Sequence, residues 1–546
     1  MLSRLLGIFR DRMLAARFGA GRELDIYYAS FQIPDFLSIL FLLGAGSAAI
    51  LPIFQEYMAH DEEKAKKMIM DLATLFIIGS MVLSVVAFFL IPLILPFMVP
   101  GFGPDDIELA VTLSRIMLLS PLLLGLSSIF SSVVQSFERF SAYALSPIFY
   151  NIGIIFGIMV FLPIFGIKGL AFGVVLGAFL HFLIQFFEVW RLGFNTIPPG
   201  TMPKISEGVK RVASLSFPRV IAISISQFTL VILVALGSTL VEGSISVMQL
   251  AQNLYFLPIG IFGVSYAVAI FPRLSQYYIK RNAEEFFREV SDGIRMILFW
   301  IVPSAVLFII LRAHLVRVAL GSGEFSWEDT RLTSALLAAL CGAMFAGGLS
   351  AFLIKCFYAL ESTRLPLAIN AVTSAFSVVL AYLFVKLFSS GSVFTEFFTS
   401  VFRISDLLHP EVLGLAFGYS IGLALNIILL YIALSALLKE RFSRRPVFVF
   451  LPVFKILAAS LIAGIVSYAV RASFSETLPL ITFAMVLVQG VAAGIVGFAV
   501  YFLTLYFLGS EDIERLIITI RRRLFRMGIL PQQWDGDFQR PDQNII

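Results

Sequence analysis

Apolar runs of about 20 residues or more recur along the entire 546-residue chain, and a run of that length crosses a bilayer as one helix. That recurrence settles the class before any motif is read. Backbone groups in lipid must satisfy their own hydrogen bonds, so such a chain folds as a bundle of helices. Composition agrees: 14% of residues are charged and 59% hydrophobic, against about 25% charged in ordinary soluble domains, and mean hydropathy is +0.94. Fourteen segments can be drawn, at 1–18, 25–56, 69–99, 107–137, 143–163, 168–190, 213–237, 245–272, 291–312, 329–360, 364–388, 411–438, 449–471 and 478–508. The second, fourth and tenth are too long for an upright helix and must tilt or bend. Pro34, Gly44, Gly46, Pro52, Pro121 and Gly125 give the bends a mechanism.

Basic residues orient the bundle. Loops after even-numbered segments carry Lys64, Lys66 and Lys67, then Lys204, Lys210 and Arg211, then Arg273, Lys280, Arg281 and Arg288, then Lys439, Arg441, Arg444 and Arg445. Loops after odd-numbered segments are poorer in charge, and 100–107 and 238–244 hold no Lys or Arg. Both termini are therefore expected on the cytoplasmic side of a multi-pass protein of the cytoplasmic (inner) membrane. No cleavable signal peptide is read, because no small-residue cleavage site follows an apolar h-region. Residues 510–527 read as an amphipathic helix on anionic lipid, and 528–546 as a polar, disordered tail.

The chain also repeats itself. Gly169-Leu-Ala-Phe-Gly173-x-x-x-Gly177 returns as Gly414-Leu-Ala-Phe-Gly418-x-x-x-Gly422, and Pro147-x-x-x-Asn151 returns as Pro366-x-x-x-Asn370. Ala49-Ile50-x-Pro52 with Tyr57 matches Ala269-Ile270-x-Pro272 with Tyr277. Three ordered matches at equivalent segments point to duplication of a six-segment unit, with a longer connection at 386–411 in the second copy. An even number of segments makes the copies parallel. The expected organisation is a six-helix lobe at 1–190, a cytoplasmic linker at 191–212, a second six-helix lobe at 213–438 and two additional helices at 449–508. The fold class is thus all-α and polytopic. The Gly-x-x-x-Gly pairs predict close helix packing inside each copy.

Little in the chain supports catalysis. No Gly-x-x-x-x-Gly-Lys-Ser/Thr loop is present, and His60, His181, His314 and His409 are scattered without metal-ligand spacing. No cofactor, metal or nucleic-acid partner is expected, and the chain does not read as an enzyme. Cys341 and Cys356 read as buried packing residues. Attention passes to polar residues within segments, where charge is costly and faces a cavity or a partner. These are Arg4, Arg10, Asp11, Asp25, Asp35 and Arg115 in the first half, and Arg219, Gln227, Gln249, Gln252, Asn253 and Lys355 in the second. Wound as a helix at about 100° per residue, Arg4, Gly7, Arg10 and Asp11 share one arc. This cationic stripe with a glycine gap is either a topological charge cluster or a buried site for an anionic group. Snorkelling explains Arg12, Arg17, Arg22 and Asp25 near segment ends as readily as function does. Lys355 pairs with Glu361 or a carbonyl on the bland reading. An anion carrying a diphosphate favours Arg over Lys, because the guanidinium binds phosphate in a bidentate way.

At the N-terminus the chain resembles the MurJ/MviN family, the lipid II flippases of the multidrug/oligosaccharidyl-lipid/polysaccharide exporter superfamily. The residues that carry the likeness are Ser3-Arg4-x-x-Gly7-x-x-Arg10-Asp11, Phe18-Gly19-Ala20-Gly21, Asp25, Pro34 and Gly44-Ala45. Lys355-Cys-Phe357-Tyr358-Ala359 and Arg364-x-Pro366 support it further along. The resemblance implies two six-helix lobes in a V shape that open alternately to either side, with a cationic cavity between them. It implies that the last two helices hold a polyprenyl tail, and that the cargo is the undecaprenyl-diphosphate-linked precursor of the cell wall. The family's cavity arginines fall on Arg4 and Arg10, with acids at Asp11 and Asp25, and Lys355 and Arg115 are further candidates. The implied partners are this lipid-linked glycan, membrane lipids and cell-wall synthesis enzymes, with the chain acting as a monomer.

The chain departs from the pattern at three places. A second-helix arginine of the family falls on Ser38 and its neighbouring acid on Leu43, and an eighth-helix arginine falls on Asn253. The seventh-helix acid that joins a sodium site in some members has no counterpart in Ser226–Gly237. The first helix is also short, at about 27 Å for its 18 residues against a hydrocarbon core of about 30 Å, and begins partway into the family's first helix. These departures keep two rivals open: a flippase for another polyprenyl-linked glycan, and an ion- or proton-coupled exporter of small molecules. A non-transporting scaffold for wall-synthesis enzymes is a third reading.

Overall fold

The structure, a computed structural model, describes residues 2–44, 47–194, 205–407, 409–443, 450–477 and 482–526. Every regular element among them is helical. The first half runs α1 (Leu2–Phe18), α2 (Arg22–Ser30), α3 (Gln32–Gly44), α4 (Ser47–His60), α5 (Glu62–Met98), α6 (Pro104–Met117), α7 (Leu119–Ser136), α8 (Phe140–Phe156), α9 (Leu162–Phe165) and α10 (Lys168–Arg191). It continues with α11 (Glu207–Ser238), α12 (Ser244–Pro258), α13 (Ser265–Ile279), α14 (Ala283–Ile310), α15 (Arg312–Leu320), α16 (Trp327–Cys341) and α17 (Met344–Ala359). The remainder is α18 (Arg364–Ser389), α19 (Val393–Phe402), α20 (Leu413–Phe442), α21 (Phe450–Thr477), α22 (Phe483–Phe507) and α23 (Glu511–Arg526). Wide π-type turns join α8 to α9 and α12 to α13, so each of these pairs remains one continuous span.

Local chemistry sets the boundaries. Asp61 caps α5 by accepting from the Lys64 amide at 3.1 Å, with Glu62 and Glu63 complementing the helix dipole in the first turn. Ser326 and Asp329 form a reciprocal capping box at the start of α16. Pro104 occupies the first turn of α6, where its missing N–H costs nothing.

Ten helices among the described residues are long and apolar enough to cross a membrane, or up to 11 if α16 and α17 are one broken span. The expected fourteen segments are not all realised as single spanning helices. The second segment breaks into α2, α3 and α4, none longer than 14 residues, and α1 has 17. Of α11, Gln227–Ser238 is a shorter apolar helix that stands outside that count. The described breaks fall at Phe31 and Leu118, whereas Pro34, Pro52, Pro121 and Gly125 lie within α3, α4 and α7. The side chains of Leu43 and Arg219 and the tail at 528–546 lie outside the described residues.

The chain divides into two compact units. One comprises Met1–Leu257, Leu315–Ala343 and Ser362–Leu430, and the other Pro258–His314, Met344–Glu361 and Tyr431–Ile546. Within the first, the repeated glycines do the same work twice. A Cβ on Gly173 would lie 2.7 Å from the Gly157 Cα, and one on Gly169 would strike the Phe161 backbone, so α10 packs backbone to backbone on the α8–α9 span. A Cβ on Gly418 would strike the Ala381 backbone, one on Gly422 the Ser377 side chain, and one on Gly414 the Val385 backbone, so α20 packs the same way on α18. This is the close packing expected of the Gly-x-x-x-Gly pairs. Buried polar bonds reinforce it. Gln185 donates to Ser146 Oγ at 2.8 Å between α10 and α8, and Ser377 Oγ donates to the Gly418 carbonyl at 3.1 Å between α18 and α20.

In the second unit, α14 packs on α17 and on α21, and α21 on α22. A Cβ on Gly293 would strike the Phe352 ring, and Tyr501 Oη donates to the Phe299 carbonyl at 2.7 Å. The amphipathic α23 is held by its first turn. Arg295 of α14 reaches Asp512 at 2.8 Å and Glu511 at 3.4 Å, and Arg515 lies 3.6 Å from Asp292. Cys341 and Cys356 are free and buried, as the sequence suggests.

Candidate functional site

Helix α1 carries two polar faces, and each meets a different neighbour. Ser3, Gly7 and Arg10, spaced i, i+4, i+7, turn toward α8. There Asn151 donates to the Pro147 carbonyl at 2.9 Å and to the Ser3 carbonyl at 3.3 Å, and its Oδ1 accepts from Arg10 Nη1 at 3.4 Å. Gly7 lies on this face, and a Cβ there would make only an ordinary contact, 3.8 Å from Asn151 Oδ1. Arg4 and Asp11, seven residues apart, turn toward α12. Arg4 Nη1 donates to the Leu257 carbonyl at 3.1 Å, and Asn253 Nδ2 donates to Asp11 Oδ2 at 2.8 Å. The order of contacts shows α1 and α12 to be antiparallel here.

Between these faces sits the Arg10–Asp11 pair. Arg10 donates to Asp11 Oδ1 through Nη2 at 2.7 Å and through Nε at 3.0 Å. Asp11 is buried, at 4% exposed, and Arg10 is half-buried. Gln249 extends the chain by donating to Asn253 Oδ1 at 3.2 Å. The result is one line of contacts, Asn151–Arg10–Asp11–Asn253–Gln249. It locks the Arg10 guanidinium in position, while Arg4 remains exposed. A guanidinium offers five N–H donors, and Arg4 commits one nitrogen to a carbonyl. Arg4 and Arg10 less Asp11 leave the constellation one formal positive charge. An arginine at position 253 would raise it to two.

Asp25 has a different partner. Its Oδ1 accepts from the Ser246 amide at 2.7 Å and the Ser246 hydroxyl at 2.5 Å, and its Oδ2 from the Gly243 amide at 2.7 Å. The acid is 1% exposed and sits on the N-terminus of α12, where amide groups lacking helical partners and the helix dipole favour an anion. A Cβ on Gly243, at φ +87°, would meet the Ala20 carbonyl, so that glycine is required for the approach.

Ser38 is buried on α3. Arg115 is on α6, where its Nε donates to the Phe88 carbonyl at 3.0 Å and its guanidinium lies 4.3 Å from the Phe88 ring centre, against α5. Lys355 belongs to the second unit, with its Nζ 5.3 Å from the Phe271 ring centre and 5.9 Å from that of Tyr358. The structure therefore brings together Arg10, Asp11 and Asn253, extends the group to Arg4 through α12, and seats Asp25 at the other end of that helix. Asn151 is the participant that a search for charge passes over. Its signal was the repeated Pro-x-x-x-Asn, which predicts equivalent positions without saying what they hold. The matching Asn370 accepts from Asn426 Nδ2 at 2.8 Å.

Residues 14–489 match the family profile described as lipid II flippase MurJ. A probable lipid II flippase MurJ from Buchnera aphidicola subsp. Acyrthosiphon pisum is 30% identical over 383 residues, covering 68% of this chain and 74% of that one. The lipid II flippase MurJ of Burkholderia cenocepacia is 26% identical over 445 residues, covering 80% and 81%. A solved structure of lipid II flippase MurJ in an inward closed conformation matches with a TM-score of 0.72 at 25% identity, over 94% of this chain and 98% of that one. An inward-facing transporter of the multidrug resistance MATE family matches with a TM-score of 0.62 at 16% identity, over 80% and 96%, and shows a shared fold alone. The profile match over most of the chain and the aligned relatives establish that this protein belongs to the lipid II flippase MurJ family.

Proposed function

We propose that this chain is a flippase that carries lipid II, an undecaprenyl-diphosphate-linked cell-wall precursor, across the cytoplasmic membrane by alternating access. The observation that carries the reading is the seating of Arg4, Arg10 and Asp11 on one helix between Asn151 and Asn253. A fixed guanidinium beside a more exposed one suits a diphosphate: Arg4 meets the anion, and Arg10, already oriented by Asp11 and Asn151, receives it without a large loss of side-chain freedom. Asp11 and Asn253 act as positioning residues. Asp25 holds the N-terminus of α12 and so joins the first helices to the helix that carries Asn253. Ser38 adds a polar group without charge, Lys355 adds charge from the second copy of the repeat, and Arg115 fixes α6 to α5.

In this reading the lobes at 1–190 and 213–438 rock about the site, helices 449–508 hold the polyprenyl tail, and both termini lie in the cytoplasm. The protein works as a monomer beside cell-wall synthesis enzymes. Replacing Arg4 and Arg10 together by Ala should abolish outward delivery of lipid II in cells depleted of their own flippase, with the protein still present in the membrane. Normal delivery by the double variant would sink the assignment.

One observation favours a second cargo. With Ser38, Leu43 and Asn253 where the resemblance puts two arginines and an acid, the set carries one net positive charge in place of two. A polyprenyl-linked glycan bearing a smaller anionic group suits that charge. Purified protein in vesicles, offered lipid II and a polyprenyl monophosphate sugar in parallel, separates the two by which one is flipped.

A further inference from the structure

The connection between α18 and α20 is the long one that the internal repeat does not explain, and it holds a helix of its own. Helix α19 is clamped at both ends. At its start, Thr395 Oγ1 donates to the Leu387 carbonyl of α18 at 3.0 Å. At its finish, Arg403 takes a left-handed conformation (φ 61°) that stops the helix. Arg331 of α16 then secures the following turn, donating to Asp406 Oδ2 at 2.6 Å and to the Arg403 carbonyl at 3.1 Å. A bidentate arginine–carboxylate pair of this kind fixes geometry as well as charge.

The side chains of α19 divide three ways around its axis. At about 100° per residue, Phe394, Phe398, Phe402, Thr395 and Thr399 cover the side turned to the protein. There the Phe398 ring centre lies 4.9 Å from that of Phe417, and the Phe394 centre 5.4 Å from that of Phe388. Val393, Phe397 and Val401 form a second strip, spaced i, i+4, i+8, and are 81%, 61% and 53% exposed. Glu396 and Ser400, also exposed, form the third. One side on protein, one apolar and open, and one polar is the partition of a helix lying in a membrane interface.

Helix α18 supplies the depth marker. Val372, Phe376, Val379 and Leu383 make a continuous exposed apolar stripe along it, as a lipid-facing helix should. The stripe ends at Lys386, whose Nζ lies 4.6 Å from the Tyr382 ring centre. A lysine beside a tyrosine at the end of such a stripe marks the headgroup level, and α19 begins seven residues later. We propose that α19 is an interfacial anchor, seated in the outer-leaflet headgroup region with Val393, Phe397 and Val401 in the acyl chains and Glu396 and Ser400 in water. Its partner is the lipid surface. It fixes the depth of the outer ends of α18 and α20, and the outward direction follows from the distribution of Lys and Arg among the loops.

The test uses the full-length protein in phosphatidylcholine vesicles, with an environment-sensitive fluorophore on Phe397→Cys or, separately, on Glu396→Cys. The native Cys341 and Cys356 are buried at 1% and 0% exposed, and an unsubstituted sample reports any labelling of them. Brominated acyl chains should quench the 397 label about twofold or more, and aqueous iodide should quench the 396 label by a similar factor, with little cross-over. Val401→Cys repeats the measurement should the Phe397 variant fail to fold. A 397 label open to iodide and blind to brominated lipid overturns the proposal. A label shielded from both quenchers also overturns it, by assigning the strip to a protein partner, a second copy included.

Discussion

Asn253 donates its side-chain amide to Asp11 at 2.8 Å, and Asp11 in turn receives two donors from Arg10. The position on which the family resemblance puts an arginine here holds a neutral amide that satisfies the acid. Structure at the site is therefore kept while charge is lost. Asp11 remains fully paired and Arg10 remains oriented, and under the proposed function the cargo meets one guanidinium fewer than the resemblance implies.

That relationship predicts opposite outcomes for two substitutions. Asn253→Leu leaves Asp11 Oδ2 buried without its donor, which costs about 1–3 kcal/mol, and should lower both thermal stability and delivery of the precursor. Asn253→Arg restores a donor to Asp11 along with a positive charge. It should match the parent in stability and bind a diphosphate lipid more tightly, by about tenfold if a charge-assisted bond of 1.5 kcal/mol forms. Titration with undecaprenyl diphosphate reads the difference, and equal affinity in parent and Asn253→Arg would remove Asn253 from the site.

Asp25 accepts three hydrogen bonds at the start of α12. Its replacement by Ala should cost about 1–3 kcal/mol, since the Gly243 and Ser246 amides lose a buried charged acceptor. Asp25→Asn keeps one acceptor oxygen and should fall between Ala and the parent. Thermal unfolding of the three purified proteins in detergent orders them. An Asp25→Ala protein as stable as the parent would show that the contact contributes nothing.

The repeated glycines should respond in parallel. Gly173→Ala and Gly418→Ala each force a methyl group into a neighbouring backbone and should destabilise by about 1–3 kcal/mol. Gly79→Ala meets nothing within 4 Å and should be neutral or stabilising by up to about 1 kcal/mol, the helix-propensity difference. Parallel melting curves decide the matter, and a neutral Gly418→Ala would break the equivalence of the two helix pairs.

The Arg331–Asp406 bond carries a pH signature. The arginine's hydrogen bond holds the Asp406 carboxyl down to about 2, below the usual aspartate value of about 3.9. A carboxyl depressed in the folded state stabilises fully above its unfolded pKa and loses that contribution as pH falls through the folded value. The stability gap between the parent and Asp406→Asn should thus be constant at neutral pH, shrink below about pH 5 and be lost by about pH 1. The pair is solvent-exposed, so the gap is small. A gap that persists unchanged to pH 2 would rule out the ion pair as its source.

Legibility in the sequence followed the physics of each feature. The membrane class was determined outright, because the requirement that apolar residues meet lipid acts on each segment alone. The duplication was equally plain, and the structure explains why its glycines were the readable part: Gly173 and Gly418 are needed for backbone contact, which no other residue type permits. Arg4, Arg10 and Asp11 stood out because charge inside an apolar segment is rare. The tertiary structure decided which neighbour each one meets. Asn151 is 141 residues from its partner Arg10 along the chain and Asn253 is 242 from Asp11, and no local pattern links side chains at such distances. The assignment of Asp25 to the α12 N-terminus, of Arg115 to the Phe88 carbonyl and of α19 to a clamped three-sided helix was likewise made only by packing. A side chain's type is written in the sequence, but its partner is chosen by which helices are close enough to share a hydrogen bond.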